Sequence, residues 1–415
     1  MNKVIYLKRK IFIICCLVIF VSSFKFSYAD DEIEELNNND IDNILETSAK
    51  VEENININSR IAVAYDRESG RAIWGKDENK KTAMASTTKI MTALVVIENA
   101  NLNDIVEISS RAAGTGGSRL GLKKEDKISI RDLLYGLMLR SGNDAAVALA
   151  EYVGGNVEGF ANLMNKKAIN LNLKNTHFVT PHGLDDPNHY TTAYELARLA
   201  DYALGNETFS KIVGTKNYTI SINGYPKNIN NTNELLGNFV GVYGIKTGFT
   251  NNAGRCLVTA VKNETFDIIT IVLQADTKKD RTNDSVKIIN YIFKNFQKVD
   301  LEEIVNNEFE SWCEVNKNRV NINKAKEYNI ELKKDDVKNR VLVIDQNGLK
   351  SIDVDINGIF EYEAPVEKNT KFGEVKIYIG NELIEINNIY INNSVSKKDF
   401  SDYLEECMRA ITYLI

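Results

Sequence analysis

Three short runs, in a fixed order, constrain this chain more than anything else in it: Ser86-Thr87-Thr88-Lys89, then Ser141-Gly142-Asn143, then Lys246-Thr247-Gly248. Each sits in a different local setting. Ile90, Leu94, Val95 and Ile97 recur at helical spacing behind Ser86, which puts that serine at or near a helix N-terminus. Between Arg131 and Val153 the apolar residues read as two helices with a break at Ser141-Gly142-Asn143, so the second run occupies a connecting loop. The third run follows an apolar strand, Val240 to Ile245. Further strand-like segments come after it at Cys256–Val261 and Phe266–Leu273, and a helix is expected from about Arg281 to Phe296.

The residue types suit acyl transfer. A serine hydroxyl is a poor nucleophile without a base beside it, and a step of three along a helix directs the Lys89 amine at Ser86 Oγ. That amine must be neutral to take a proton, and burial together with a second cation such as Lys246 would favour the neutral form. Ser141 offers a hydroxyl to relay a proton to a departing amine, and Asn143 offers an amide to hold a peptide carbonyl. Lys246 and Thr247 suit a carboxylate, while Gly248 lets a substrate backbone lie against the strand edge. Taken singly, the runs have ordinary structural meanings: a helix cap, a turn, a strand-end bend. Together and in this order they form the S-x-x-K, S-x-N, K-T-G set of penicillin-recognising serine acyl-enzymes.

Longer stretches carry the same likeness. Arg140 to Ala146, Pro187 to Tyr194, Gly244 to Thr250, and the tail segment from Ala364 through Val375 look like signatures of one family. From about Ser59 to its end the chain resembles the low-molecular-mass penicillin-binding proteins that act as D-alanyl-D-alanine carboxypeptidases. The resemblance implies an α+β fold of the penicillin-binding/β-lactamase-like kind, with an antiparallel sheet flanked by helices, a helical lobe, and a small all-β domain behind them. It implies Ser86 as the acylated residue, Lys89 as proton acceptor, and Ser141 and Asn143 as assistants. Lys246, Thr247, Gly248 and Arg281 are implied as substrate-binding residues, with the backbone N–H groups of Ser86 and Phe249 as the oxyanion hole. The implied partners are peptidoglycan stem peptides and β-lactam antibiotics; no cofactor and no metal is called for.

The rest of the chain supplies context. Lys3, Lys8, Arg9 and Lys10 precede an apolar run from Ile11 to Val21, and Ser27-Tyr28-Ala29 offers small residues for cleavage. This is a secretory signal peptide, so the protein is expected outside the cytoplasmic membrane. Its removal moves the formal charge from −6 to about −11, which argues against a nucleic-acid partner. Of five cysteines only Cys256, Cys313 and Cys407 remain, no disulfide framework. The expected organisation is a signal peptide at 1–29, a flexible acidic linker at 30–57, a catalytic domain at 58–297, a β-rich C-terminal domain at 298–392 and an amphipathic terminal helix at 393–415. The apolar face of that helix (Phe400, Tyr403, Leu404, Cys407, Met408, Ile411, Leu414, Ile415) suits a membrane surface, although its polar face is mostly acidic and a packing or partner role fits about as well.

A class A β-lactamase needs a separate glutamate for deacylation, and no glutamate–x–x–Leu–Asn run lies between Asn143 and Lys246. The short segment before Ser59 speaks against a cross-linking transpeptidase with its own glycosyltransferase domain. A zinc peptidase could draw on His177, His182 and His189 with Asp185 and Asp186, yet no H-E-x-x-H run appears and the segment reads as a turn-rich loop with ordinary surface histidines. A non-catalytic wall-binding protein has no need of the serine–lysine pair. Gly114-Thr115-Gly116-Gly117 lacks the lysine of a phosphate loop and reads as a flexible loop beside the site.

Overall fold

The computed structural model describes residues 36, 38–48, 55–327, 329–338, 340–345 and 351–412, so the expected signal peptide lies outside the described residues. Two compact units emerge. The first holds the described residues up to Tyr65 together with Trp74–Asn263 and Ile268–Asn290. The second takes Asp66–Ile73, Glu264–Asp267 and everything described from Tyr291 onward.

In the first unit, helix α1 (Asn38–Ser48) precedes strands β1 (Ile61–Asp66) and β2 (Arg71–Lys76). Helix α1 falls within the stretch expected as a flexible linker. Ile41 and Ile44, one turn apart, are buried and give this helix a short apolar stripe. A second sheet follows in the order β3 (Ile105–Glu107), β4 (Lys127–Ser129), β5 (Asn217–Ile222) and β6 (Tyr225–Asn230). Strands β7 (Val242–Thr250), β8 (Gly254–Lys262) and β9 (Asp267–Ala275) complete the first sheet, whose order is β2-β1-β9-β8-β7. Strand β8 is buried continuously from Arg255 to Val261, so its apolar run does not alternate. Strand β7 pairs antiparallel with β8, Lys246 opposite Val258 and Gly248 opposite Cys256, and forms the sheet edge.

The helical lobe is built from α2 (Lys89–Asn99), α3 (Ser110–Ala113), α4 (Ile130–Leu139), α5 (Asn143–Gly154), α6 (Val157–Asn170), α7 (Ala193–Leu204) and α8 (Glu207–Val213), and α9 (Lys278–Asn295) follows β9. Its boundaries have local causes. The Ser129 hydroxyl accepts from Asp132 N–H and starts α4; Gly155, in the left-handed region at φ 73, stops α5. The core runs through α2, α4 and α5, where Ile90, Leu133, Leu134, Leu137 and Leu149 are fully buried.

In the second unit, β10 (Phe296–Asp300) leads into α10 (Leu301–Asn316), a helix within the region expected to be β-rich. Leu301, Val305 and Phe309, spaced by four, bury one face of it. Then come β11 (Asn321–Asn323), β12 (Leu332–Lys334), β13 (Val341–Asp345), β14 (Ile352–Gly358), β15 (Glu361–Glu363), β16 (Lys371–Ile379) and β17 (Glu382–Ile391). A four-stranded sheet, β12-β17-β16-β14, buries Val375, Ile377, Ile389 and Ile391, and Phe372 gathers Trp312, Phe360 and Tyr362 around it. Helix α11 (Phe400–Thr412) leaves Phe400, Leu404, Met408 and Ile411 exposed. Among the described residues no helix is long and apolar enough to cross a membrane.

Candidate active site

Ser86 belongs to a single 3-10 turn, Ala85–Thr88, that feeds directly into α2. Thr87 Oγ1 donates to the Met84 carbonyl (2.6 Å) and Thr88 Oγ1 to the Ala85 carbonyl (2.8 Å), which fixes the turn from both sides. Ser86 stays partly exposed while Lys89, one turn on, is fully buried. Lys89 Nζ lies 2.8 Å from Ser86 Oγ, 2.8 Å from Asn143 Oδ1 and 2.9 Å from the His182 carbonyl oxygen. A buried amine needs acceptors of this kind.

Between α4 and α5 the chain turns sharply. Ser141 takes a left-handed conformation (φ 58), and its buried hydroxyl has no hydrogen-bond partner among the described residues. Asn143, expected on a loop, is the first residue of α5. Its amide Nδ2 donates to the Gly116 carbonyl (2.8 Å), and its backbone N–H donates to the Ser118 carbonyl (2.8 Å). The carboxylate of Asp144 accepts from the N–H groups of Leu120, Gly121 and Leu122. The glycine-rich run at 114–117 therefore does stand beside the site, held to it through Asn143.

Strand β7 closes the other side. Lys246 and Thr247 are each 1% exposed, Lys246 Nζ donates to the Thr247 carbonyl (3.0 Å), and Thr247 Oγ1 lies 2.7 Å from Thr232 Oγ1. A Cβ on Gly248 would come within 3.0 Å of Ser86 N and 3.2 Å of Thr87 N. The close approach that Gly248 permits is thus to the catalytic turn, which the expectation of a substrate backbone alone did not include. Phe249 follows, its ring 4.0 Å beneath the Arg255 guanidinium. Arg281, on α9, is fully buried and meets a different group: its Nη2 donates to both carboxylate oxygens of Glu234, at 2.9 and 2.7 Å.

Comparison with known proteins shows the family. The family described as peptidase S11, D-alanyl-D-alanine carboxypeptidase, matches residues 47–277. The chain belongs to the peptidase S11 family of serine peptidases. It is 31% identical to the D-alanyl-D-alanine carboxypeptidase DacF of Bacillus subtilis, over 84% of this chain and 89% of the relative. Among solved structures, DacD from Francisella tularensis is similar at TM-score 0.68 and 27% identity, covering 83% of this chain and 95% of that one. The Streptomyces K15 DD-transpeptidase is similar at TM-score 0.56 and 35% identity, covering 58% of this chain and 98% of that one. The fold is therefore that of the low-molecular-mass penicillin-binding proteins, a catalytic sheet-and-helix unit with a β-rich C-terminal region.

The segment expected to carry ordinary surface histidines packs against the Ala85–Thr88 turn. Gly183 (φ 86) lies so close that a Cβ there would stand 1.9 Å from the Ala85 carbonyl oxygen. His189 is 3% exposed. Its Nδ1 accepts from Val179 N–H at 3.0 Å, so the proton sits on Nε2, which faces Thr88 Oγ1 at 2.7 Å. Burial pushes the His189 ring down to about 4, with Asp186 opposing the shift. Burial pushes His182 down to about 3. The His182 carbonyl as an acceptor for Lys89 has no sequence signal, because any residue could supply it. Spacing offered no sign of Glu234 either, 47 residues from its arginine.

Proposed function

We propose that Ser86 is the nucleophile of a serine-type D-alanyl-D-alanine carboxypeptidase that removes the terminal D-alanine from peptidoglycan stem pentapeptides, and that penicillins acylate the same hydroxyl. The surroundings of Lys89 Nζ carry this reading. A neutral amine has two N–H bonds and one lone pair. With the two N–H groups directed at Asn143 Oδ1 and the His182 carbonyl, the lone pair faces Ser86 Oγ, where a general base must stand. Burial of the amine favours that neutral form.

Proton transfer from Ser86 Oγ to Lys89 Nζ accompanies attack of Oγ on the carbonyl carbon of the D-Ala–D-Ala amide. Negative charge then develops on the carbonyl oxygen, for which the N–H groups of Ser86 and Phe249 are the donors, one at the start of α2 and one on the edge strand. As the C–N bond breaks, the Ser141 hydroxyl relays a proton to the departing amine; that it has no hydrogen-bond partner among the described residues supports this role. D-alanine leaves, and water releases the shortened peptide by the reverse proton path. Lys246, Thr247 and Arg281 bind the terminal carboxylate, with Gly248 holding β7 against the turn. A cationic and hydroxyl-bearing edge suits a substrate ending in a free carboxylate.

Such a substrate lies outside the cytoplasm, which agrees with export through residues 1–29 and with an exposed apolar face on α11 that meets the membrane surface. Labelling by a fluorescent penicillin and D-alanine release from a pentapeptide, in the native enzyme and in Ser86→Ala, test the assignment. Both signals should vanish in the variant; equal labelling of the two proteins would overturn it.

A further inference from the structure

Arg281, assigned above to the substrate's carboxylate, already holds a carboxylate. Both oxygens of Glu234 accept from its Nη2, and Lys278 Nζ stands 3.3 Å from Glu234 Oε1. The three side chains are nearly sealed, at 0% exposure for Arg281, 9% for Lys278 and 12% for Glu234. Arg281 Nε and Nη1 are buried with no hydrogen-bond partner among the described residues, an arrangement that is costly unless a further acceptor arrives. Glu234 is also close to the substrate-binding strand. Two residues before it, Thr232 touches Thr247 Oγ1 at 2.7 Å.

We propose that Glu234 is a positioning residue that acts through Arg281: a resident carboxylate that competes with the substrate's C-terminal carboxylate for the guanidinium and so sets the affinity for anionic peptides. This rests on the carboxypeptidase reading of Ser86. In the resting enzyme Glu234 offsets one of the two positive charges of Arg281 and Lys278. An arriving carboxylate at Lys246 and Thr247 meets a site of reduced positive charge, and it engages Arg281 only as Glu234 yields. Charges this deeply buried are poorly screened by salt, so neutralising Glu234 is felt at the neighbouring strand.

The test compares two pentapeptides that differ only at the C-terminus, free carboxylate against carboxamide. In Glu234→Gln the ratio of kcat/KM for the acid to that for the amide should rise about tenfold, through a lower KM for the acid. Arg281→Gln should collapse the ratio, and in the double variant the gain from Glu234→Gln should disappear. A merely structural role would lower both substrates in parallel and leave the ratio unchanged, which would overturn the proposal. A ratio that falls in Glu234→Gln would overturn it as well, making Glu234 a support for Arg281 and not its competitor. If Glu234→Gln loses penicillin labelling, and with it the fold, Lys278→Met gives the reading from the other side: the ratio should fall severalfold, and an unchanged ratio refutes the charge argument. Failure of the carboxypeptidase assignment is distinguishable, because the native enzyme would then release neither D-alanine from the acid nor D-alaninamide from the amide.

Discussion

Lowering the pH charges His189 in the unfolded chain long before it can charge it in the fold. The ring is 3% exposed, Nδ1 is committed as an acceptor from Val179 N–H, and burial holds its protonation near 4 against an ordinary 6.5. The folded value lies below the unfolded one, so the stability tied to the neutral ring is complete above pH 6.5 and drains away as pH falls toward 4. The full difference corresponds to about 3.4 kcal/mol, of which about 2 kcal/mol is lost between pH 6.5 and 4.5. His189→Gln removes that titration while keeping an amide oxygen for Val179 N–H and an amide N–H for Thr88. Thermal melts across this pH range should show the native enzyme losing about 4–8 °C more than the variant. Carboxylates titrate alike in both proteins and cancel in the comparison. Parallel melting curves would refute the argument, because they would mean that His189 carries its proton inside the fold.

The remaining expectations concern the catalytic turn and its supports. Asn143→Ala strands Lys89 Nζ and the Gly116 carbonyl, each of which loses a 2.8 Å partner; penicillin acylation should slow about 100-fold and the fold should lose about 1–3 kcal/mol, read by stopped-flow labelling and by melting. Gly183→Ala combines a left-handed backbone (φ 86) with a 1.9 Å clash against the Ala85 carbonyl, so it should cost about 3 kcal/mol or more and abolish labelling in the soluble fraction.

Most of the scaffold around Ser86 was legible because its signals are local. The helical spacing behind Ser86, the break at Ser141-Gly142-Asn143 and the apolar run before Lys246 correspond to α2, the α4–α5 turn and β7. Longer-range partners were not legible. Glu234 pairs with Arg281, and the His182 carbonyl oxygen accepts from Lys89; neither relation leaves a spacing rule in one sequence. Helices α1 and α10 were passed over for a different reason. Their apolar stripes, Ile41 with Ile44 and Leu301 with Val305 and Phe309, are narrow and set among many Asn and Glu residues, which dilute the periodic signal. His189 misled because Pro181, Gly183 and Pro187 mark a turn-rich segment, and turn residues say nothing of what packs on top of them.

Lys89 draws its partners from three separated stretches: its own turn, a residue 54 positions on and a carbonyl 93 positions on. Ser86 and Lys89 share one turn, but no early, local piece of this chain can bring Asn143 and the His182 carbonyl to Lys89, since loops that long must close first. Acquisition of penicillin reactivity is therefore a clock for completion of the first unit. During refolding from denaturant it should trail the return of helical circular dichroism and coincide with the last rise in tertiary signal, so a covalent inhibitor becomes a probe of folding order.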